Sequence, residues 1–176
     1  MGVDQLEVLL VNCVVLIGMP GAGKSTLGVM LAKNSALDFV DTDILIQNKL
    51  HCTLQYFLDE QGYLALRDEE EMVLLAADFS HQVIATGGSA VYSDAGMARL
   101  KSLGPVVLLN VSEQELLRRI DDMDTRGIAC APGQSFHDLF VERQRLYHAY
   151  ADVVIECDGK NQHTLAQELL GALQET

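Results

Sequence analysis

The sequence predicts an α/β protein built on a parallel sheet with helices on both faces. Three observations predict it. Apolar runs alternate along the chain with stretches of helical character. Those runs are nearly continuous in apolar residues rather than alternating with period two, as expected of strands covered on both faces. A glycine-rich stretch joins the first run directly to the first helix, the connection that phosphate-binding α/β proteins use. At 176 residues, 49% apolar and 21% charged, the chain suits one domain, residues 1–176, with a full core.

Taken in order, residues 8–17 are apolar except at Asn12 and Cys13, and read as the first strand. Residues 24–34 form a helix. Asp38-Phe39-Val40-Asp41 is a short second strand that ends in acid. Residues 44–50 and 53–59 are short helical pieces, and a longer helix is expected over 63–79. Residues 82–86 make a strand that runs into Gly87-Gly88-Ser89. Residues 93–103 are helical and stop at Gly104-Pro105. Residues 106–111 are a strand. Ser112 and Glu115 are spaced as a capping box for a helix reaching about residue 120. A helix over 135–150, a strand over 153–155 and a helix over 164–173 complete the chain. Between them lies an irregular segment, 122–134, of a length that suits a mobile lid or an ordinary surface loop.

The stretch Gly18-Met19-Pro20-Gly21-Ala22-Gly23-Lys24-Ser25 fits G-x-x-x-x-G-K-[ST] at every fixed position. Its glycines let backbone N–H groups approach phosphate oxygens, and the following helix aims its free N–H groups and positive dipole end at the anion. Gly21, Ala22, Gly23, Lys24, Ser25 and Thr26 are therefore assigned to a nucleoside triphosphate. Lys24 reaches the β- and γ-phosphates and Ser25 offers its hydroxyl to Mg²⁺. In a parallel sheet, ligands bind beyond the carboxyl ends of the strands. Asp41 and Asp43 follow the second strand, where one carboxylate could hold the metal's water shell and the other a phosphoryl acceptor. The plainer alternative is that either caps the next helix. Gly87 and Gly88 follow the third strand, and could present N–H groups to a ligand or form only a tight turn.

Net charge is −13, which argues against nucleic acid as a partner. If the substrates are anions, the few arginines must be gathered at one place. No run is apolar and long enough to span a bilayer. The first ten residues carry Asp4 and Glu7 but no Lys or Arg, so no signal peptide is expected and a cytoplasmic location is the default. A monomer is expected. Cys13, Cys52, Cys130 and Cys157 have neither zinc nor disulfide-framework spacing. Cys13 and Cys157, in apolar runs, are expected to be buried. The five histidines receive no role.

Four arginines stand out. Arg67 is followed by Asp68, Glu69, Glu70 and Glu71, and its plain reading is a helix-surface ion pair. Arg143, between Glu142 and Arg145, reads as part of a solvated face. Arg119 precedes the lid candidate. Arg126, inside it, could close on transferred phosphate as an arginine finger does.

Over residues 11–155 the chain resembles shikimate kinase, within the nucleoside-monophosphate-kinase-like branch of P-loop proteins. The resemblance rests on the phosphate loop, Asp41-Thr42-Asp43, Gly62 with Arg67 and Glu70, and Ala85-Thr86-Gly87-Gly88. It continues through Arg118-Arg119, Arg126, and Glu142-Arg143-Gln144-Arg145-Leu146-Tyr147 leading to Ala151-Asp152. It implies a three-layer α/β/α fold with a five-stranded parallel sheet in the order 2-3-1-4-5 and a mobile lid. It also implies ATP- and Mg²⁺-dependent phosphorylation of the 3-hydroxyl of shikimate, a small carboxylate. Asp43 would contact the acceptor hydroxyl as candidate base, and Asp41 would act through metal-bound water. Arg67 and Arg143 would hold the substrate carboxylate, with backbone contacts from Gly87 and Gly88. Arg119 would stack near adenine and Arg126 would be the lid arginine. The chain departs from the family at Arg126-Gly127-Ile128-Ala129, where Arg-Pro-Leu-Leu is usual, and at Ser89, the third of three glycines. It departs again at Tyr63 to Arg67 and at Arg145. These departures surround the acceptor, so a kinase of another small hydroxy acid or polyol is the alternative. A nucleotide-binding regulatory domain without acceptor chemistry is the more distant one.

Overall fold

A computed structural model of the chain describes residues 12–119 and 128–175. Five strands form one parallel sheet: β1 (Cys13–Ile17), β2 (Asp38–Asp41), β3 (Gln82–Ala85), β4 (Val106–Asn110) and β5 (Val153–Glu156). Their spatial order is β2-β3-β1-β4-β5, as the family resemblance implied. Helices lie on both sides of the sheet. They are α1 (Lys24–Ser35), α2 (Thr42–Leu50), α3 (Leu54–Ala76), α4 (Asp94–Leu103), α5 (Glu113–Arg119), α6 (Phe136–Tyr150) and α7 (Gln162–Gln174).

The apolar runs explain the order. All five residues of β1 are buried, because the strand is central and pairs with both β3 and β4. Val15 aligns with Ile84 on one side and Val106 on the other. Edge strand β5 buries only Ile155. Cys13 and Cys157 lie in the main core, as expected. A smaller apolar cluster of Ile46, Leu66, Val73 and Ala129 ties α2 and α3 to the described end of the 122–134 segment.

Three elements differ from expectation. The two helical pieces expected over 53–59 and 63–79 form one element, α3, broken at Gly62, where φ is 85° and ψ 169°. The helix ends at Ala76 rather than near Phe79. Arg99 closes it there, donating to the carbonyls of Leu74 and Ala77 at 2.5 and 2.6 Å. The capping box expected at Ser112 forms by half. Ser112 Oγ accepts from Glu115 N at 3.3 Å, but Ser112 N–H donates to Asp158 and the Glu115 carboxylate takes Arg118 and Arg119. A complete box instead opens α6, between Ser135 and Asp138. Among the described residues, no helix is long and apolar enough to cross a membrane.

Candidate active site

The site is built where the strand order reverses, beyond the carboxyl ends of β1, β2 and β3. The loop after β1 turns through Gly18, Gly21 and Gly23, all at positive φ (141°, 82° and 99°), a conformation that side-chain-bearing residues rarely adopt. Lys24 opens α1 and is buried. Its Nζ donates to the carbonyls of Gly18 and Met19 at 2.7 and 3.0 Å, so it braces the loop from within. Burial pulls its pKa down to about 8, opposed by the charges of Asp43 and Asp41.

Asp41 does two things. Its Oδ1 accepts from the Asp43 amide at 3.0 Å, capping α2, and its Oδ2 accepts from Ser25 Oγ at 2.6 Å. The capping reading holds for Asp41, and the same carboxylate also reaches the Ser25 hydroxyl of the phosphate loop. Between them, Thr42 is fully buried and its Oγ1 accepts the Gly87 N–H at 2.9 Å, tying the end of β2 to the loop after β3. That bond occupies the Gly87 amide and leaves Gly88 as the backbone donor of this pair. Both glycines are needed for close approach. A Cβ on Gly87 would come within 2.1 Å of Glu70 Oε1 and 2.6 Å of Asp43 Oδ1. One on Gly88 would come within 2.8 Å of Pro20 Cδ and 2.9 Å of Arg143 Nη1.

Asp43 is pushed up to about 6, chiefly by burial and then by the charge of Asp41, with Lys24 opposing. Glu70 is pushed up to about 7 by burial and by Asp43. It accepts from Ser89 Oγ at 2.5 Å through Oε2, while its buried Oε1 has no hydrogen-bond partner. Sequence reasoning gave Glu70 no role. The signal was its place among Leu66, Val73 and Leu74 on the buried face of α3.

Arg143 corrects the solvated-face reading, since it is only 1% exposed. It shares the buried face of α6 with Leu139 and Tyr147, at helical spacing. Its Nη2 donates to the Ala129 carbonyl at 2.5 Å, and Tyr147 Oη donates to the Gly88 carbonyl at 2.6 Å. Arg67 is likewise no surface ion pair. It is half-buried with its guanidinium over the ring of Tyr92, 3.5 Å from the centroid. Arg119 closes α5 and donates from Nε to Glu115 at 2.9 Å. Arg126 lies outside the described residues.

A cavity of about 550 Å³ collects these groups. Gly21, Gly23, Lys24, Ser25 and Thr26 line it from the phosphate loop, Asp43 and Glu70 from α2 and α3, and Gly88, Ser89, Arg119 and Arg143 from elsewhere. Ala22 is buried behind the loop. Arg67 stands beside the cavity rather than in its wall, joined to Arg143 through Tyr92, whose ring centroid is 5.5 Å from Arg143 Cζ. The arrangement is a phosphate cradle facing a pocket with a near-neutral carboxylate and buried arginine. That is chemistry for moving a phosphoryl group onto a hydroxyl of a small anion.

The chain is similar to known proteins over most of its length. A family model for shikimate kinase matches residues 20–174. A shikimate kinase of Paracidovorax citrulli is 38% identical over 165 residues, covering 90% of each chain. Among solved structures, shikimate kinase from Acinetobacter baumannii in complex with shikimate superposes with a TM-score of 0.85 at 30% identity, covering 95% of each chain. The enzyme from Aquifex aeolicus gives 0.78 at 27% identity, covering 92% of this chain and 96% of that one.

Proposed function

The chain belongs to the shikimate kinase family, and from that premise we propose how its residues divide the transfer of the ATP γ-phosphoryl group to the 3-hydroxyl of shikimate. Asp43 takes the hydroxyl proton as the acceptor oxygen bonds to γ-phosphorus and the bond to the β-γ bridging oxygen breaks, releasing ADP. A base poised close to neutrality suits this step, and Asp43 at about 6 is so poised. Gly21 to Thr26 cradle the phosphates, and Lys24 places a buried positive charge against them. Arg119, which lines the cavity, flanks the nucleotide base, and Arg126 adds charge from the lid. Arg143 and Arg67 hold the acceptor carboxylate, a task for planar two-pronged donors. The Gly88 amide steadies the acceptor beside them.

Ser25 Oγ and Asp41 fit a magnesium ion. They supply two hard oxygens already 2.6 Å apart, and Mg²⁺ is commonly held by one or two protein oxygens plus water and substrate phosphates. Among the described residues, no group of three or more His, Cys, Asp or Glu could hold a metal alone, so the ion would enter with the nucleotide. Bound there, it would neutralise phosphate charge, with Asp41 reaching it through water.

The observation that carries this reading is that Lys24, Asp43 and Arg143 line one cavity. The test is ATP-dependent phosphorylation of shikimate followed by ADP release, with shikimate omitted as the control and other small hydroxy acids and polyols in parallel. Turnover confined to shikimate supports the reading. Faster turnover of another acceptor would move the assignment to that compound.

A further inference from the structure

Four acidic residues follow Arg67 in sequence, yet among the described residues no carboxylate lies within ion-pair distance of it. Glu69 pairs with Lys49 at 2.6 Å. Glu70 is taken by Ser89 and Glu71 by Ser93. Asp68 is exposed. The Arg67 guanidinium instead faces two rings. Tyr92 lies 3.5 Å away by centroid, and Tyr63, one turn back on α3, lies 5.1 Å away. The buried Nε of Arg67 has no hydrogen-bond partner. Tyr92 ends the single turn Ala90–Tyr92 that follows Gly87-Gly88-Ser89. The acceptor loop therefore carries the ring that faces Arg67, and the same ring lies 5.5 Å from Arg143.

We propose that Tyr92, backed by Tyr63, is a positioning residue for the acceptor: its ring holds the Arg67 guanidinium for the substrate carboxylate without using up its N–H donors. A ring face attracts a cation through its quadrupole, whereas a carboxylate partner would occupy the in-plane donors that the substrate needs. The same ring is within reach of both arginines, 3.5 Å from Arg67 and 5.5 Å from Arg143 by centroid, two like charges that must approach each other to grip one anion. The inference rests on Arg67 holding the acceptor carboxylate.

The test measures KM and kcat for both substrates, and the shikimate Kd by calorimetry, in Y92F, Y92L, R67A and the R67A/Y92L double variant. Y92L is expected to raise the shikimate KM about 3- to 20-fold, with kcat and the ATP KM changed less than about twofold. Y92F, which keeps the ring, recovers most of that affinity. In the R67A background, Y92L adds nothing further. Equal losses in Y92F and Y92L would overturn the proposal, because the hydroxyl would then be the active part. So would a full Y92L effect that persists without Arg67. If Y92L does not fold, Y92M and Y63L give the same comparison. R67A leaving shikimate affinity unchanged would overturn the carboxylate assignment itself. R67A weakening it while Y92L does nothing would overturn the tyrosine role alone.

Discussion

Glu70→Gln is expected to stabilise the protein, and more at pH 8 than at pH 5. Glu70 is 3% exposed, and its pKa rises from 4.5 to about 7. A carboxyl raised in the folded state binds more protons folded than unfolded between these values. Stability therefore falls as pH climbs through that window, and the full deficit is present above it. The rise corresponds to about 3 kcal/mol at pH 8 and less than about 1 kcal/mol at pH 5. Glutamine removes the charge and sacrifices little in its place. Ser89 can donate to the amide oxygen as it does to Oε2, and Oε1 has no donor to lose. After allowance for the weaker bond from Ser89, the net gain is about 2 kcal/mol at pH 8 and near zero at pH 5. In a domain of this size that moves Tm by about 4–8 °C. Thermal unfolding of both proteins at both pH values measures it. An equal shift at the two pH values would show that packing, not ionisation, is responsible. A loss at pH 8 would show that the buried charge is held favourably and that the reasoning is wrong.

Asp43→Asn is expected to lower kcat by about 10²–10⁴-fold with little change in the ATP KM. Because a protonated carboxyl cannot accept a proton, wild-type turnover should fall as pH drops through about 6, and that limb should vanish in the variant. Unchanged turnover would remove Asp43 from the role. Gly104→Ala should cost about 3 kcal/mol or more in urea unfolding, because a Cβ there would sit 1.9 Å from the Cys13 carbonyl oxygen. A neutral outcome would show that the start of β4 can move away from β1.

The parts of this molecule that were legible in the sequence are those fixed by neighbours along the chain. The phosphate loop, the paired aspartates after β2 and the buried strands declare themselves by local spacing and apolar content. Even the break at Gly62 fell between the two helical pieces expected there. Residues whose meaning comes from distant partners were illegible. Thr42 matters because Gly87, 45 positions away, donates to it. Tyr147 matters because its hydroxyl reaches Gly88. Arg67 looked like a helix-surface ion pair because four acids follow it, and only the fold shows three of them turned to other partners. The solvated-face reading of Arg143 was avoidable. Leu139, Arg143 and Tyr147 recur every four residues, so the helical period alone puts the arginine on a buried face.

The electrostatics of the cavity explain why these residues sit together despite what they cost. In a chain of net charge −13, Lys24 and Arg143 are both buried within one pocket. The Lys24 pKa is pulled down while those of Asp43 and Glu70 are pushed up. Lys24, Asp43 and Glu70 are therefore each held in an environment that disfavours the charged form, whereas the Arg143 pKa is raised despite its burial. Two anionic ligands, a triphosphate and a carboxylate, would supply the missing counter-charge to Lys24 and to the arginines. The cost of burying Lys24 is thus offset on binding rather than on folding, and a site arranged so holds its donors in place before the substrate arrives. It follows that ligand binding should raise the Lys24 pKa towards its ordinary value, while the added negative charge pushes Glu70 further up and widens the gap in stability that Glu70→Gln exposes.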